Sequence, residues 1–291
     1  MNLDHPHWSV VVPSYDRPDE LRRCLTALQG LHAGPEITIE IVIVDDGGAR
    51  AAQPIAESIA GPHRIRVHRQ RNQGPAAARN AGAQQARGRW LAFTDDDCRP
   101  RSDWLVGLGT ALAEHPGALV GGRTVNALVD NTWSEATQAL VDHVISATPG
   151  GFLPSCNLGV ERERFCASGG FDDAFPRAAG EDRALCDAWR AAGGQVVLVE
   201  GAVVDHEHRL TGRSFWRQHV GYGMAAHRVH STEDGSQPGP VGRYLALLTG
   251  PFARLPLRPA VDLSSRLVVS QVATAWGWAR ASAAARLAQR H

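Results

Sequence analysis

Residues 88–100 read GRWLAFTDDDCRP. The segment 90–94 has the length and apolar character of a short buried strand, and it stops at three successive carboxylates, Asp95, Asp96 and Asp97. Alternation along a strand predicts that Asp95 and Asp97 share one face while Asp96 points to the other. Carboxylates held this close repel one another, and a cation beside them relieves that repulsion. The plainer alternative is a polar loop whose acids cap a helix opening at Ser102.

Upstream, 8–13 (WSVVVP) is an apolar run of strand length, and Pro18 opens a helix whose Leu21, Cys24, Leu25 and Leu28 share a face. A second strand, 37–44 (ITIEIVIV), ends in Asp45, Asp46, Gly47 and Gly48. A weaker helix over 51–60, a strand over 65–68 and an alanine-rich helix from Pro75 to about Ala86 follow, so 90–94 is the fourth strand. This alternation predicts an α/β fold: a doubly wound, mostly parallel sheet with helices on both faces. Ligands bind such sheets outside the carboxyl ends of the strands. Residues 14–16, 45–48 and 95–97 all fall at that edge.

Downstream the pattern predicts a helix over 102–115, a small strand over 118–121 and an amphipathic helix over 132–147. A Pro/Gly turn at 148–151, a strand entering at 154–160 and a tight turn at Gly169, Gly170 and Phe171 come next. A helix opens at Gly180 with Glu181 and Asp182 in its first turn and buries Leu185, Trp189 and Ala192. Strand segments over 195–199 and 202–205 lead into His206, Glu207 and His208, and a helix runs from Thr211 to about His230. A Gly/Pro loop at 235–242 precedes a helical end. The expected organisation is a catalytic domain over 1–235, with a nucleotide-binding half over 1–122 and an acceptor half over 123–235, then a helical extension over 236–291. Gly107-Leu108-Gly109 lies inside a helix and lacks the third glycine and preceding strand of a dinucleotide fingerprint.

Of the 291 residues, thirty are acidic and thirty basic, and every basic one is arginine, which we read as the codon bias of a GC-rich, bacterial genome. With no net charge, no global field draws the chain to nucleic acid or anionic lipid. The absence of lysine excludes P-loop, Schiff-base and kinase chemistry. Five cysteines with no C-x-x-C pair suit reduced thiols. The first residues carry no basic, apolar leader pattern, and the most apolar window, 261–278, contains Asp262, Arg266 and Gln271. A cytosolic protein is expected, touching the inner face of a membrane from one side at most.

Six segments stand in order: VVPSYDR (11–17), IVDDGG (43–48), NQGPAAARN (72–80), FTDDDC (93–98), GGFDD (169–173) and GED (180–182). Together they resemble family 2 glycosyltransferases of the GT-A fold, over roughly residues 8–225. Asp16 departs from the family's usual Asn, and Gly48 from its usual Ser. The resemblance implies that Asp45 accepts a hydrogen bond from the imide N–H of a uracil-like base and that Tyr15 packs beside that base. It implies that Arg79 reaches the nucleotide, that Asp95 contacts the ribose, and that Asp97 binds the Mg²⁺ or Mn²⁺ clamping the diphosphate. Pro13, Asp16, Asp96 and Glu181 join the nucleotide contacts. A late histidine completes the metal site in similar enzymes; His206 is the matching position and His208 its rival.

The same resemblance makes Asp182 the catalytic base, and its place in a first helical turn predicts an anion ready at neutral pH. Attack opposite the leaving group with one base gives inversion. The expected activity is transfer from a UDP-sugar to an acceptor hydroxyl or other nucleophile on a saccharide, lipid-linked molecule, peptide or natural product. A sugar-phosphate nucleotidyltransferase would need a G-x-G-T-R loop and a lysine, and a haloacid-dehalogenase-type phosphatase its D-x-D after the first strand. A silent nucleotide-sugar binding protein fits loss of Asp97 or Asp182, and both are present. Near the C-terminus Val261, Leu263, Leu267, Val268, Val272 and Trp276 recur at helical spacing. That helix either packs on the catalytic domain or a homodimer partner, or meets a membrane with Trp278, Arg280, Arg286 and Arg290.

Overall fold

Strands β1 (Trp8–Ser14) and β2 (Ile39–Asp45) are buried along their whole length because helices cover both faces of the sheet. They pair in parallel with Ser14 opposite Asp45, which sets two of the polar clusters side by side. The protein is seen here as a computed structural model describing residues 6–147, 151–175, 179–232 and 241–288. Arg290 and most of the expected turn at 148–151 and loop at 235–242 lie outside those residues.

Helix α1 (Pro18–Gln29) joins β1 to β2 and buries Leu21, Cys24, Leu25 and Leu28, the face read from its periodicity. Short α2 (Gln53–Glu57) leads to β3 (Arg64–Arg69), which pairs in parallel with β2. Helix α3 (Pro75–Gln85) lies close on the sheet through small residues, and a Cβ on Gly82 would stand 2.4 Å from Val11 Cγ1. Strand β4 (Trp90–Phe93) then pairs in parallel with the other side of β1.

Beyond Phe93 the sheet becomes mixed. Strand β5 (Cys98–Pro100), helix α4 (Trp104–Glu114) and β6 (Leu119–Asn126) are followed by α5 (Thr132–Ala147), β7 (Leu158–Glu161) and α6 (Arg162–Ala167). Helix α7 (Glu181–Ala191) leads into β8 (Val196–His206). The order is β3-β2-β1-β4-β7-β6-β8-β5, with β7 antiparallel to both neighbours and β5 antiparallel to β8. The expected small strand at 118–121 extends to Asn126. The two segments at 195–199 and 202–205 are one strand, with a register shift opposite Gly122 and Arg123. Glycine is required there, since a Cβ on Gly122 would sit 1.7 Å from the Ala202 carbonyl oxygen.

Two cores sandwich this sheet. Trp8, Val10, Val12, Ile41 and Ile43 pack with α1 and α4 on one face; Val11, Leu91, Phe93, Phe165, Phe171 and Trp189 pack on the other.

The chain divides into two compact units, 1–127 with 149–207, and 128–148 with 208–291. The first holds the sheet. The second is helical, built from α5, α8 (Gly212–Thr232), α9 (Val241–Thr249) and α10 (Leu257–Ala288) around Ala136, Phe215, Leu247, Leu263 and Leu267. Helices α8 and α10 cross at glycines: a Cβ on Gly277 would come within 2.1 Å of the Val220 carbonyl oxygen. No described helix is long and apolar enough to cross a membrane.

Candidate active site

Strand β1 outruns β4 by three residues, since Val11 is opposite Phe93 and β1 continues to Ser14. The carboxylates after β4 fold back against this overhang. Residues 95–97 therefore form a turn, and the strand alternation expected for them is overturned, because the extended backbone ends at Phe93. Asp95 and Asp97 are hydrogen-bonded to different arginines. Asp95 Oδ1 accepts from Arg79 Nη2 at 2.6 Å, while Asp96 and Asp97 share Arg17.

Arg17 Nη1 donates to Asp96 Oδ1 at 3.1 Å and Asp97 Oδ2 at 2.7 Å, and Ser14 Oγ donates to Asp96 Oδ2 at 2.8 Å. Asp96 is thus held inside the cluster instead of pointing away from it. Burial, with help from Asp97 and Asp95, pushes its carboxyl up to about 7 against the pull of Arg17 and Ser14.

His206 ends β8 directly opposite Cys98 in β5, and this pairing brings its Nε2 to 3.4 Å from Asp97 Oδ1. Burial alone lowers the imidazole, but Asp97 outweighs it and holds His206 up at about 9. Ligand atoms of Asp97, Cys98 and His206 lie within 4.8 Å of one another. Of these groups the Asp97 carboxylate suits Mg²⁺ or Mn²⁺, and His206 would have to give up its proton to join it as a ligand. Burial keeps the Cys98 thiol protonated, so it is not a donor to a hard cation. Among the described residues, His208 is not one of the three in this group.

The residues after β1 and β2 are stitched together by hydrogen bonds. Asp45 is buried; its Oδ1 accepts from the Gly47 N–H at 3.1 Å and its Oδ2 from the Ala52 N–H at 2.9 Å and Arg69 Nη1 at 3.0 Å. Asp46, which the sequence did not mark as a site residue, accepts from Gln70 Nε2 and from the N–H groups of Gln73 and Gly74, fixing the turn before α3. Its adjacency to Asp45 was the available signal. Asp16 adopts a left-handed φ of 54°, tolerable for a short polar side chain, and its Oδ1 accepts from the Arg50 N–H at 2.8 Å. A Cβ on Gly48 would stand 2.6 Å from that same oxygen, so the two departures from the family pattern are in contact. Pro13 is buried in β1, whereas Tyr15 is 49% exposed at its end.

Arg79 is 2% exposed, neither reaching outward nor solvated. It bridges Asp95 to Glu181 Oε1, 3.2 Å away, and stacks on Phe171 at 5.5 Å. Glu181 is likewise buried, and its Oε2 has no hydrogen-bond partner. Next to Arg79, Asn80 clasps the Phe171 backbone through both amide atoms, at 2.8 and 2.9 Å, docking the GGFDD turn onto α3. Gly180, at φ 89°, then turns the chain into α7.

Asp182 accepts from the Arg183 N–H at 2.8 Å. The expectation of a fully ionised carboxylate at neutral pH is corrected here: burial, then the charge of Glu181, raise it to about 7 and outweigh the helix terminus.

A parallel β3-β2-β1-β4 half, an antiparallel return through β7 and an acid-and-histidine edge define a GT-A-type glycosyltransferase fold. Residues 9–166 match the family described as glycosyl transferase family 2, and the chain belongs to that family. It is 31% identical over 236 residues to the pre-mycofactocin glycosyltransferase of Mycobacterium tuberculosis, covering 76% of this chain but 47% of that protein. It is also 38% identical over 100 residues to the succinoglycan biosynthesis protein ExoO of Rhizobium meliloti, covering 34% and 28% of the two chains. The chain thus spans about half the length of the first of these relatives. Among solved structures, the mannosyltransferase PcManGT from Pyrobaculum calidifontis, in complex with GDP-Man and Mn²⁺, aligns with a TM-score of 0.62 at 17% identity over 94% of this chain and 88% of its own. S. aureus TarS 1–349 with UDP-GlcNAc aligns at 0.54 and 15% identity, over 97% and 92%.

Proposed function

We propose that the protein is an inverting, divalent-cation-dependent glycosyltransferase that moves a sugar from a UDP-sugar to an acceptor hydroxyl. The observation that carries this reading is that Asp97, His206, the Arg79 bridge and Asp182 converge on the carboxyl edge of one sheet. The GDP-Man and Mn²⁺ bound by PcManGT and the UDP-GlcNAc bound by TarS support a nucleotide-sugar donor.

Asp97 and His206 would hold Mg²⁺ or Mn²⁺, which when bound stabilises negative charge on the leaving diphosphate. Asp45 and Tyr15 would contact the base, and Pro13 and Asp16 belong to the same loop edge. Arg79 holds Asp95 toward the ribose while fixing Glu181, and through it the start of α7. Asp182 removes the acceptor hydroxyl proton as that oxygen bonds to the anomeric carbon. The bond from that carbon to the diphosphate breaks, UDP leaves, and the proton ends on Asp182. A single base with no carboxylate nucleophile gives inversion.

UDP release from a panel of UDP-sugars tests the reading. Activity is expected to fall to background in EDTA and to return with Mn²⁺ or Mg²⁺, and full turnover in chelator would remove the cation from the mechanism. Calorimetry with Mn²⁺ is expected to show UDP binding more tightly than GDP; the reverse order would replace the uridine donor.

The acceptor side carries a proposal of location. The outer face of α10 exposes Val261, Val268, Val272 and Trp276, and the helix's one acid, Asp262, is paired with Arg266. The helical unit has eleven arginines against six acids, whereas the sheet unit has nineteen against twenty-four. We propose peripheral contact of this face with an anionic membrane. Like charges would oppose pairing two copies through it. The protein is expected to float with anionic vesicles and Trp276→Ala to float less; protein remaining at the bottom of the gradient would refute the contact.

A further inference from the structure

We propose that Arg17 is a built-in counter-ion of the cation site: it neutralises Asp96 and Asp97 when no metal is present and turns to the donor's diphosphate once a cation has entered. This rests on the metal-dependent reading above. A single nitrogen, Nη1, donates to both carboxylates, at 3.1 Å to Asp96 and 2.7 Å to Asp97. Asp97 is engaged from its other oxygen by His206 at 3.4 Å, so the guanidinium takes the remaining side of the carboxylate that a cation would bind.

Exposure shows which partner can leave. The Asp96 and Asp97 side chains are 5% and 9% exposed, whereas that of Arg17 is 50% exposed. The acids are fixed: Asp96 by Ser14, and the residue 97 backbone by its carbonyl, which accepts from the Glu207 N–H at 2.8 Å. The base of the arginine arm is fixed as well. Arg17 occupies the N-cap position of α1, directly after Asp16, which is locked to Arg50. The movable part is the arginine side chain, the half-exposed member of the cluster. Its always-charged guanidinium pairs equally well with a carboxylate or a diphosphate, so exchange needs no backbone change.

A purely structural bridge would behave differently, because its loss would loosen the turn at residues 95–97 without freeing a cation position. Paramagnetic resonance titration of Mn²⁺ separates the two. Without nucleotide, Arg17→Gln is expected to bind Mn²⁺ about tenfold more tightly than wild type, because a competing charge has left the same carboxylates. Arg22→Gln, which removes an exposed charge of α1 bonded to Ser58, is expected to change it less than about twofold. With UDP present the advantage of Arg17→Gln is expected to vanish or reverse, since the wild-type guanidinium then serves the diphosphate.

Equal or weaker Mn²⁺ binding by Arg17→Gln, or an advantage unchanged by UDP, would overturn the exchange. Failure of wild type to take up Mn²⁺ even with UDP would overturn the metal reading and Arg17's role with it. Should the variant not fold, the guanidinium ¹⁵N resonances of Arg17 in the wild-type protein decide. They are expected to shift on adding Mg²⁺ with UDP, and an unchanged spectrum refutes the proposal.

Discussion

Asp182→Asn is expected to lower kcat by about 10²- to 10⁴-fold while leaving the affinity for UDP near wild type. The amide keeps the shape and the bond from the Arg183 N–H but cannot take a proton. A carboxyl raised to about 7 is well matched to this task, because it is both substantially ionised and basic enough to pull a proton at neutral pH. The sign of the pH dependence follows. Below 7 the base carries its proton and is idle, so kcat/KM is expected to rise with pH through a midpoint near 7 and then level. A midpoint near an ordinary aspartate value would refute the burial effect. Normal turnover by Asp182→Asn, or loss of UDP binding, would remove the residue from the proton transfer.

Arg79→Met is expected to destabilise the fold by about 3–5 kcal/mol, the range for removing one partner of a buried ion pair. Glu181 is as buried as Arg79 and would keep a charge with nothing to balance it, while Asp95 would lose its 2.6 Å partner. The stacking on Phe171 would also go. Urea unfolding measures this, and a loss under about 1 kcal/mol would show that the bridge is not what joins α3 to α7. Arg79→Lys is expected to fall between, because one ammonium cannot reach both carboxylates with the same geometry.

Local pattern carried the first half of the fold. The β-branched runs of β1 and β2 and the spacing of Leu21, Cys24, Leu25 and Leu28 depend on which side of an element meets the core, and that is written in adjacent residues. The carboxylate turn departs from strand alternation for a related reason. Alternation is a property of extended backbone, and where that backbone stops depends on β1 reaching past β4.

Strand β5, three residues long, exists only because β8 offers it a partner, and α6 is too short to show a period. Arg79 and Glu181 are 102 residues apart in sequence, and Asn80 and Phe171 are 91 apart. Motif order placed them at one edge; whether an arginine there faces solvent or a buried acid is decided by folding. The protonation of Asp182 likewise depends on desolvation, which no spacing rule reports.

The contact between Asp16 and Gly48 bears on what this loop can accept. Serine at position 48 would bring its Cβ to 2.6 Å from Asp16 Oδ1 and 2.9 Å from the Asp16 backbone nitrogen. Changing Asp16 alone would leave the main-chain collision in place for any later side chain at 48. A side chain at position 48 therefore requires the Asp16 main chain itself to move, and with it the carboxylate that accepts from the Arg50 N–H, so the conformation of one loop is set by the missing Cβ of the other.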